Sequence, residues 1–127
     1  HGFSLGTGLA IHVAAARPVD AILLDAPYTT LCELMTKASY LPACLMPGVQ
    51  KWRSIDEIGN LSAPVLIQHG TADQLIPIQY GERLADAMRE EGLSVTFEAV
   101  EGATHNNLAG QAGYADRVAG FLADIQK

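Results

Sequence analysis

The chain has little positive charge and no long hydrophobic run. Eight of its 127 residues are Lys or Arg against fourteen Asp or Glu, for a formal net charge of -6, and the basic residues are scattered from Arg17 to Lys127 without forming a stripe. Phosphate neutralisation needs such a stripe, so the pattern argues against nucleic acid as a partner. No segment approaches the ~20 apolar residues of a membrane-spanning helix, and no basic-then-apolar signal region is present, so membrane contact is not indicated. Low-complexity runs, repeats at solenoid spacing and long linkers are absent too. With 49% hydrophobic and 17% charged residues, that composition argues for a globular domain and against disorder. Cysteine is scarce: Cys32 and Cys44 stand at neither metal-ligand nor C-x-x-C spacing and are expected as two ordinary buried thiols. No H-E-x-x-H or similarly spaced ligand set occurs, so neither a metal nor a cofactor is expected.

What is present alternates between strand and helix. Residues 4 to 16 carry no acidic or basic side chain except His12, which predicts a helix that is apolar nearly all round and buried, with His12 as a satisfied structural residue. Arg17-Pro18 ends it. Val19 to Asp25 and Pro64 to His69 are short apolar runs suited to strands covered on both faces, and Leu93 to Val100 alternates as a third. Tyr80, Leu84, Ala87 and Met88 recur at helical spacing. So do Tyr114, Val118, Phe121, Leu122 and Ile125, with Asp116, Arg117 and Asp124 facing away. The class is therefore α/β with a parallel sheet and flanking helices. Between about 28 and 62 the pattern changes. Leu31, Leu34, Met35, Leu45, Met46 and Trp52 lie there, along with a capping-box spacing at Ser54-Ile55-Asp56-Glu57. Two readings stand side by side for this stretch: a cap inserted between strands, or a long crossover packed on the sheet.

The chemistry begins at Gly2-Phe3-Ser4-Leu5-Gly6, a G-x-S-x-G pattern. Such a pattern places its serine on a strained strand-to-helix turn, where glycines remove side chains that would clash. The following helix start lends partial positive charge to Ser4 and to the Leu5 N–H, where an oxyanion could be stabilised. A serine hydroxyl needs an imidazole base, and that base needs a group to hold its tautomer. His1 and His12 lie too near the turn in sequence, and His69 ends a strand. His105, in the polar loop Gly102 to Asn107 after the third strand, is the candidate base. Asp73 follows the strand at 64 to 69 through a short loop and is the favoured acid. Asp25, which also ends a strand, is the alternative.

Taken as a set, Gly2 to Gly8, Leu24-Asp25-Ala26-Pro27-Tyr28-Thr29, Pro64 to Asp73 and Glu101 to Asn106 resemble successive landmarks of the α/β-hydrolase superfamily. The chain is most similar to its lipid-ester and acyl-thioester hydrolases and to the related prolyl-oligopeptidase-like hydrolases, with Ser, Asp and His in the superfamily's order. The resemblance implies Ser4 as nucleophile, His105 as base and then acid, Asp73 as the orienting acid and Leu5 as one oxyanion-hole donor. It implies a single domain whose C-terminal portion is residues 1 to 127, starting at the nucleophile elbow. The second oxyanion donor and the early strands of a sheet of about eight would lie outside this chain, leaving only the final three strands. Residues 19 to 25 are then expected to offer a bare strand edge open to self-association, and the isolated 127 residues are expected to turn over weakly or not at all.

By this resemblance the expected activity is a serine hydrolase acting on an ester, thioester or amide of a small or acyl-chain substrate. The alternative is a non-catalytic relative of the fold that serves as an interaction module.

Overall fold

Short apolar runs pair as parallel strands when helices can cover both of their faces. In the computed structural model, which describes residues 1–47 and 53–127, four strands form one parallel sheet. They are β1 (Gly2–Phe3), β2 (Ile22–Asp25), β3 (Val65–Gly70) and β4 (Val95–Val100), in the order β1-β2-β3-β4. The crossover from β1 is α1 (Gly6–Ala16). Between β2 and β3 lie α2 (Leu31–Ser39) and 3-10 turns at Ala43–Leu45, Ser54–Asp56 and Ile58–Asn60. Then α3 (Ile78–Glu90) joins β3 to β4, and α4 (Tyr114–Ile125) follows β4. The expected α/β class and parallel sheet are what the structure shows.

Register decides where the site can be. Phe3 pairs with Asp25, Asp25 with Gln68 and Gln68 with Glu98. The residues just beyond that line therefore share the carboxyl rim of the sheet, where ligands of open α/β sheets bind. Side chains alternate between faces along each strand. Ile22, Leu24, Val65 and Ile67 pack with Ile11 of α1 and with Leu84, Ala85 and Met88 of α3. Asp25 and Gln68 instead meet Tyr114 and Arg117 of α4.

Several expectations are corrected here. The sheet has four strands, because Gly2 and Phe3 are extended and the Ser4 N–H donates to Asp25 O at 2.9 Å, which brings them alongside the end of β2. That end of the β2 edge is therefore not bare. α1 is not buried all round: Leu9 is 55% and Val13 43% exposed, since only the Thr7, Gly8 and Ile11 side of the helix is buried. His12 sits on the surface, its Nδ1 2.9 Å from Glu57 Oε1. Arg117 faces inward and donates from Nε to Gln68 Oε1 at 2.7 Å. Leu122 is exposed.

In the 28 to 62 stretch, Cys32 and Cys44 are joined as a disulfide rather than left as thiols, with their Cα atoms 4.7 Å apart. α2 ends on a left-handed residue, Tyr40 at φ 58, and the chain turns back there, bringing Cys44 beside the helix start. The serine of the Ser54 capping box lies inside a 3-10 turn with no side-chain cap. The cap forms at α2 instead, where Thr30 Oγ1 accepts from Glu33 N at 3.3 Å. Leu31 and Leu34 pack with Tyr28, Ile76 and Tyr80, whereas Met35, Leu45 and Met46 are exposed. Trp52 lies outside the described residues. Ile55, Ile58, Leu61 and Ala63 belong to the main core.

The exposed strip of α1 opens onto a groove of about 400 Å³ lined by Leu9, Val13, Val19, Ala21, Ile22 and Phe3. Open apolar surface beside a short edge strand promotes association. The chain is expected to sediment as an associated species at micromolar concentration. Leu9→Glu with Val13→Lys, which places a charge pair four residues apart on the helix, should shift it toward monomer in analytical ultracentrifugation.

Candidate active site

A serine can hold a left-handed backbone only if its surroundings enforce it, at a cost of about 1–3 kcal/mol. Ser4 has φ 55. Its N–H is held by Asp25 O, and its carbonyl accepts from Thr7 N at 3.0 Å and Thr7 Oγ1 at 2.6 Å. Gly2 permits the turn, since a Cβ there would stand 2.6 Å from Gly6 O and 2.7 Å from Thr7 Cα. Gly6, expected to serve the same purpose, has open space around it. Gly8 is the second tight position, because a Cβ would overlap Tyr28 Oη. From there Tyr28 donates to Leu5 O at 3.3 Å. Leu5 is the N-cap of α1, so its N–H precedes the first helical bonds and is among the amides left free at a helix start.

The favoured acid and base meet. His105 Nδ1 lies 2.8 Å from Asp73 Oδ2, with both residues buried. The carboxylate can only accept, so Nδ1 carries the proton and Nε2 keeps its lone pair. The other oxygen, Asp73 Oδ1, accepts from Leu75 N at 3.0 Å and Ile76 N at 2.8 Å, an Asx-type turn that locks the carboxylate to its own loop. The His105 loop is braced by Thr104 N donating to Asn107 Oδ1 at 2.7 Å. The two loops are sewn together by backbone. Thr71 N donates to Val100 O at 3.1 Å, Ala72 N to Ala103 O at 3.0 Å and Gly102 N to Thr71 Oγ1 at 2.8 Å. At Gly70 a Cβ would overlap Ala103 O, so the two loops run in close approach there. Among the described residues no hydrogen bond joins Ser4 Oγ to His105. The Phe3 ring stands 5.1 Å from the His105 ring at 34°, which sets the histidine against the elbow.

Asp25 is engaged elsewhere. Its carboxylate, 3% exposed, takes the Tyr114 hydroxyl at 2.5 Å, Gln68 Nε2 at 3.4 Å and His1 Nε2 at 2.7 Å. Burial raises its pKa above 3.8, against the pull of Tyr114, Gln68 and Arg117. Burial and the same carboxylate push the Tyr114 hydroxyl up to about 12. The structure thus brings Asp73, not Asp25, to His105. It also adds a polar network through Tyr114, Gln68 and Arg117 that the outward placement of Arg117 had hidden.

A model of the dienelactone hydrolase family matches residues 1–120. The chain belongs to that family. Among the curated relatives of this dienelactone hydrolase family member, an uncharacterised protein of Mycobacterium tuberculosis is 34% identical over 107 residues. The match takes in 84% of this chain and 37% of that protein. Alpha/beta hydrolase domain-containing protein 17B of Xenopus laevis is 31% identical over 126 residues, 97% of this chain and 40% of that protein. The chain therefore spans about two fifths of the length of these relatives. Among solved structures, the acylaminoacyl peptidase of Pyrococcus horikoshii superposes with a TM-score of 0.78 at 13% identity, over 98% of this chain and 23% of that one. That likeness shows the shared fold.

Two outcomes follow for this family member. Gly70→Ala should lower stability by about 1–3 kcal/mol and part the acid and histidine loops, read as a lower urea midpoint with loss of the His105–Asp73 bond. The raised pKa of Asp25 means that the folded chain keeps a proton the unfolded chain loses above 3.8. Its contribution to stability is full below that value and is lost as pH rises through the folded pKa. Asp25→Asn should flatten this decline in urea midpoints measured from acid to neutral pH.

Proposed function

We propose that, in the whole protein, these residues form the catalytic rim of a serine hydrolase that cleaves an ester, thioester or amide through an acyl-enzyme. The observation that carries this is the His105 Nδ1–Asp73 Oδ2 bond, at 2.8 Å, on the same sheet rim as a serine held at φ 55. Membership of a hydrolase family supports it.

In this reading His105 Nε2 takes the proton of Ser4 Oγ as the oxygen attacks the substrate carbonyl. Asp73 holds the imidazole in the tautomer that leaves Nε2 free and stabilises the imidazolium that forms. The Leu5 N–H stabilises the oxyanion, and a positioned donor of this kind is worth ~100 to 1,000-fold in rate. His105 then protonates the leaving group, and water, activated by the same nitrogen, releases the acid. Phe3, Leu5 and Leu75 place exposed apolar side chains around the elbow and the acid loop, which supports an apolar acyl group as the substrate's reacting side.

The test is labelling of the whole protein by a serine-directed fluorophosphonate. Ser4→Ala should abolish labelling, and His105→Ala should reduce it to background. Asp73→Asn should lower kcat on a p-nitrophenyl ester by ~10,000-fold, while Asp25→Asn costs far less. Labelling that survives Ser4→Ala would remove the proposal, and no labelling in any form would favour a non-catalytic interaction module.

A further inference from the structure

His69 is fully buried on the face of β3 that α3 covers. Its Nε2 lies 2.7 Å from Ile76 O and 3.6 Å from Asp73 Oδ2. A carbonyl can only accept, so Nε2 carries the proton. Nδ1 has no partner. A second proton there would be a buried, unpaired donor on a charged ring, which is strongly disfavoured. Burial and the proximity of His105 lower the His69 pKa, while Ile76 O, Asp73 and Glu82 pull the other way. The 3.6 Å approach to Asp73 is therefore that of a neutral N–H dipole and not an ion pair.

Ile76 is gripped from both ends. Its N–H donates to Asp73 Oδ1 at 2.8 Å and its C=O accepts from His69. Loop 73–76 is thus folded around the carboxylate on one side and fastened to the sheet on the other. The ring has one place to be, because a Cβ at Gly81 would overlap Nδ1; the bare backbone of α3 shapes the slot.

Resting on the proposed hydrolase chemistry, we infer that His69 is a positioning residue. Its Nε2–H pins Ile76 O, and so the 73–76 loop, in the one arrangement that aims Asp73 Oδ2 at His105. It touches neither substrate nor reacting atoms and acts through the acid. A displacement of ~1 Å in such a constellation costs ~100-fold in rate.

The experiment uses the whole protein and first fixes the premise: Ser4-dependent fluorophosphonate labelling. Losing that dependence sinks the proposed function and leaves the His69–Ile76 contact to be judged by spectroscopy alone. With labelling intact, His69→Leu should lower kcat by ~100-fold with KM within about threefold, and should erase the low-field proton resonance of the His105–Asp73 bond. His69→Gln, whose amide nitrogen can donate at the same reach, should restore kcat to within about tenfold of wild type. Gly81→Ala, which evicts the ring without removing it, should behave as His69→Leu. A folded His69→Leu or Gly81→Ala with unchanged kcat and resonance overturns the inference. So does a folded His69→Gln as impaired as His69→Leu. Should the Leu and Ala variants fail to fold, the 15N shifts of wild-type His69 decide: a neutral ring protonated at Nε2 supports the assignment, and protonation at Nδ1 ends it.

Discussion

Everything at the rim depends on how closely two loops from neighbouring strands can run. A side chain at position 70 would hold the backbone after β3 away from Ala103. Without one, amides and carbonyls of the two loops bond directly, from Thr71 to Val100 and from Ala72 to Ala103. Backbone bonds of this kind fix a separation that long side chains could not, because each has only two soft dihedrals per residue to satisfy. Asp73 and His105 leave that seam one and two residues later, so their 2.8 Å contact inherits its rigidity.

The sheet also sorts polar groups by face. His69 points to the α3 side and shares the neighbourhood of Asp73, whereas Gln68, one residue earlier, points to the α4 side and shares that of Asp25. Two aspartates at the same rim, one ending β2 and one in the loop after β3, therefore enter different networks. Asp73 is left one oxygen for an imidazole because backbone amides occupy the other. The Asp25 carboxylate is used up by Tyr114, Gln68 and His1, and its carbonyl, not its carboxylate, serves the elbow.

Much of this is legible in the residues themselves. β3 overlaps the Pro64 to His69 run and passes it by one residue, Gly70, because such a mostly apolar, uncharged run suits a strand covered on both faces. The acid and histidine loops could be placed because parallel strands deliver their C-terminal ends to one rim. What could not be read depends on rotation and distance. Arg117 and Leu122 sit on one helix, and the first turns inward to donate to the Gln68 side-chain Oε1. Leu9 and Val13 look like core residues by composition, yet both are exposed. The Cys32–Cys44 bridge needs the reversal at Tyr40, a left-handed tyrosine that no spacing rule announces. Gly8 and Gly81 are legible only once Tyr28 and His69 are known to press against them.

The stretch from Tyr40 to Pro47 has a different status from the seam. Its described ties run back to α2, through the disulfide and Ala43 N on Thr36 Oγ1 at 3.1 Å, and the Thr30–Arg53 bridge closes the excursion at its base. Chain inserted or deleted within this excursion would leave the backbone at Gly70 and Ala103 undisturbed. In descent, the fold can therefore vary this excursion while keeping the seam that joins Asp73 to His105, and divergence among relatives should concentrate there.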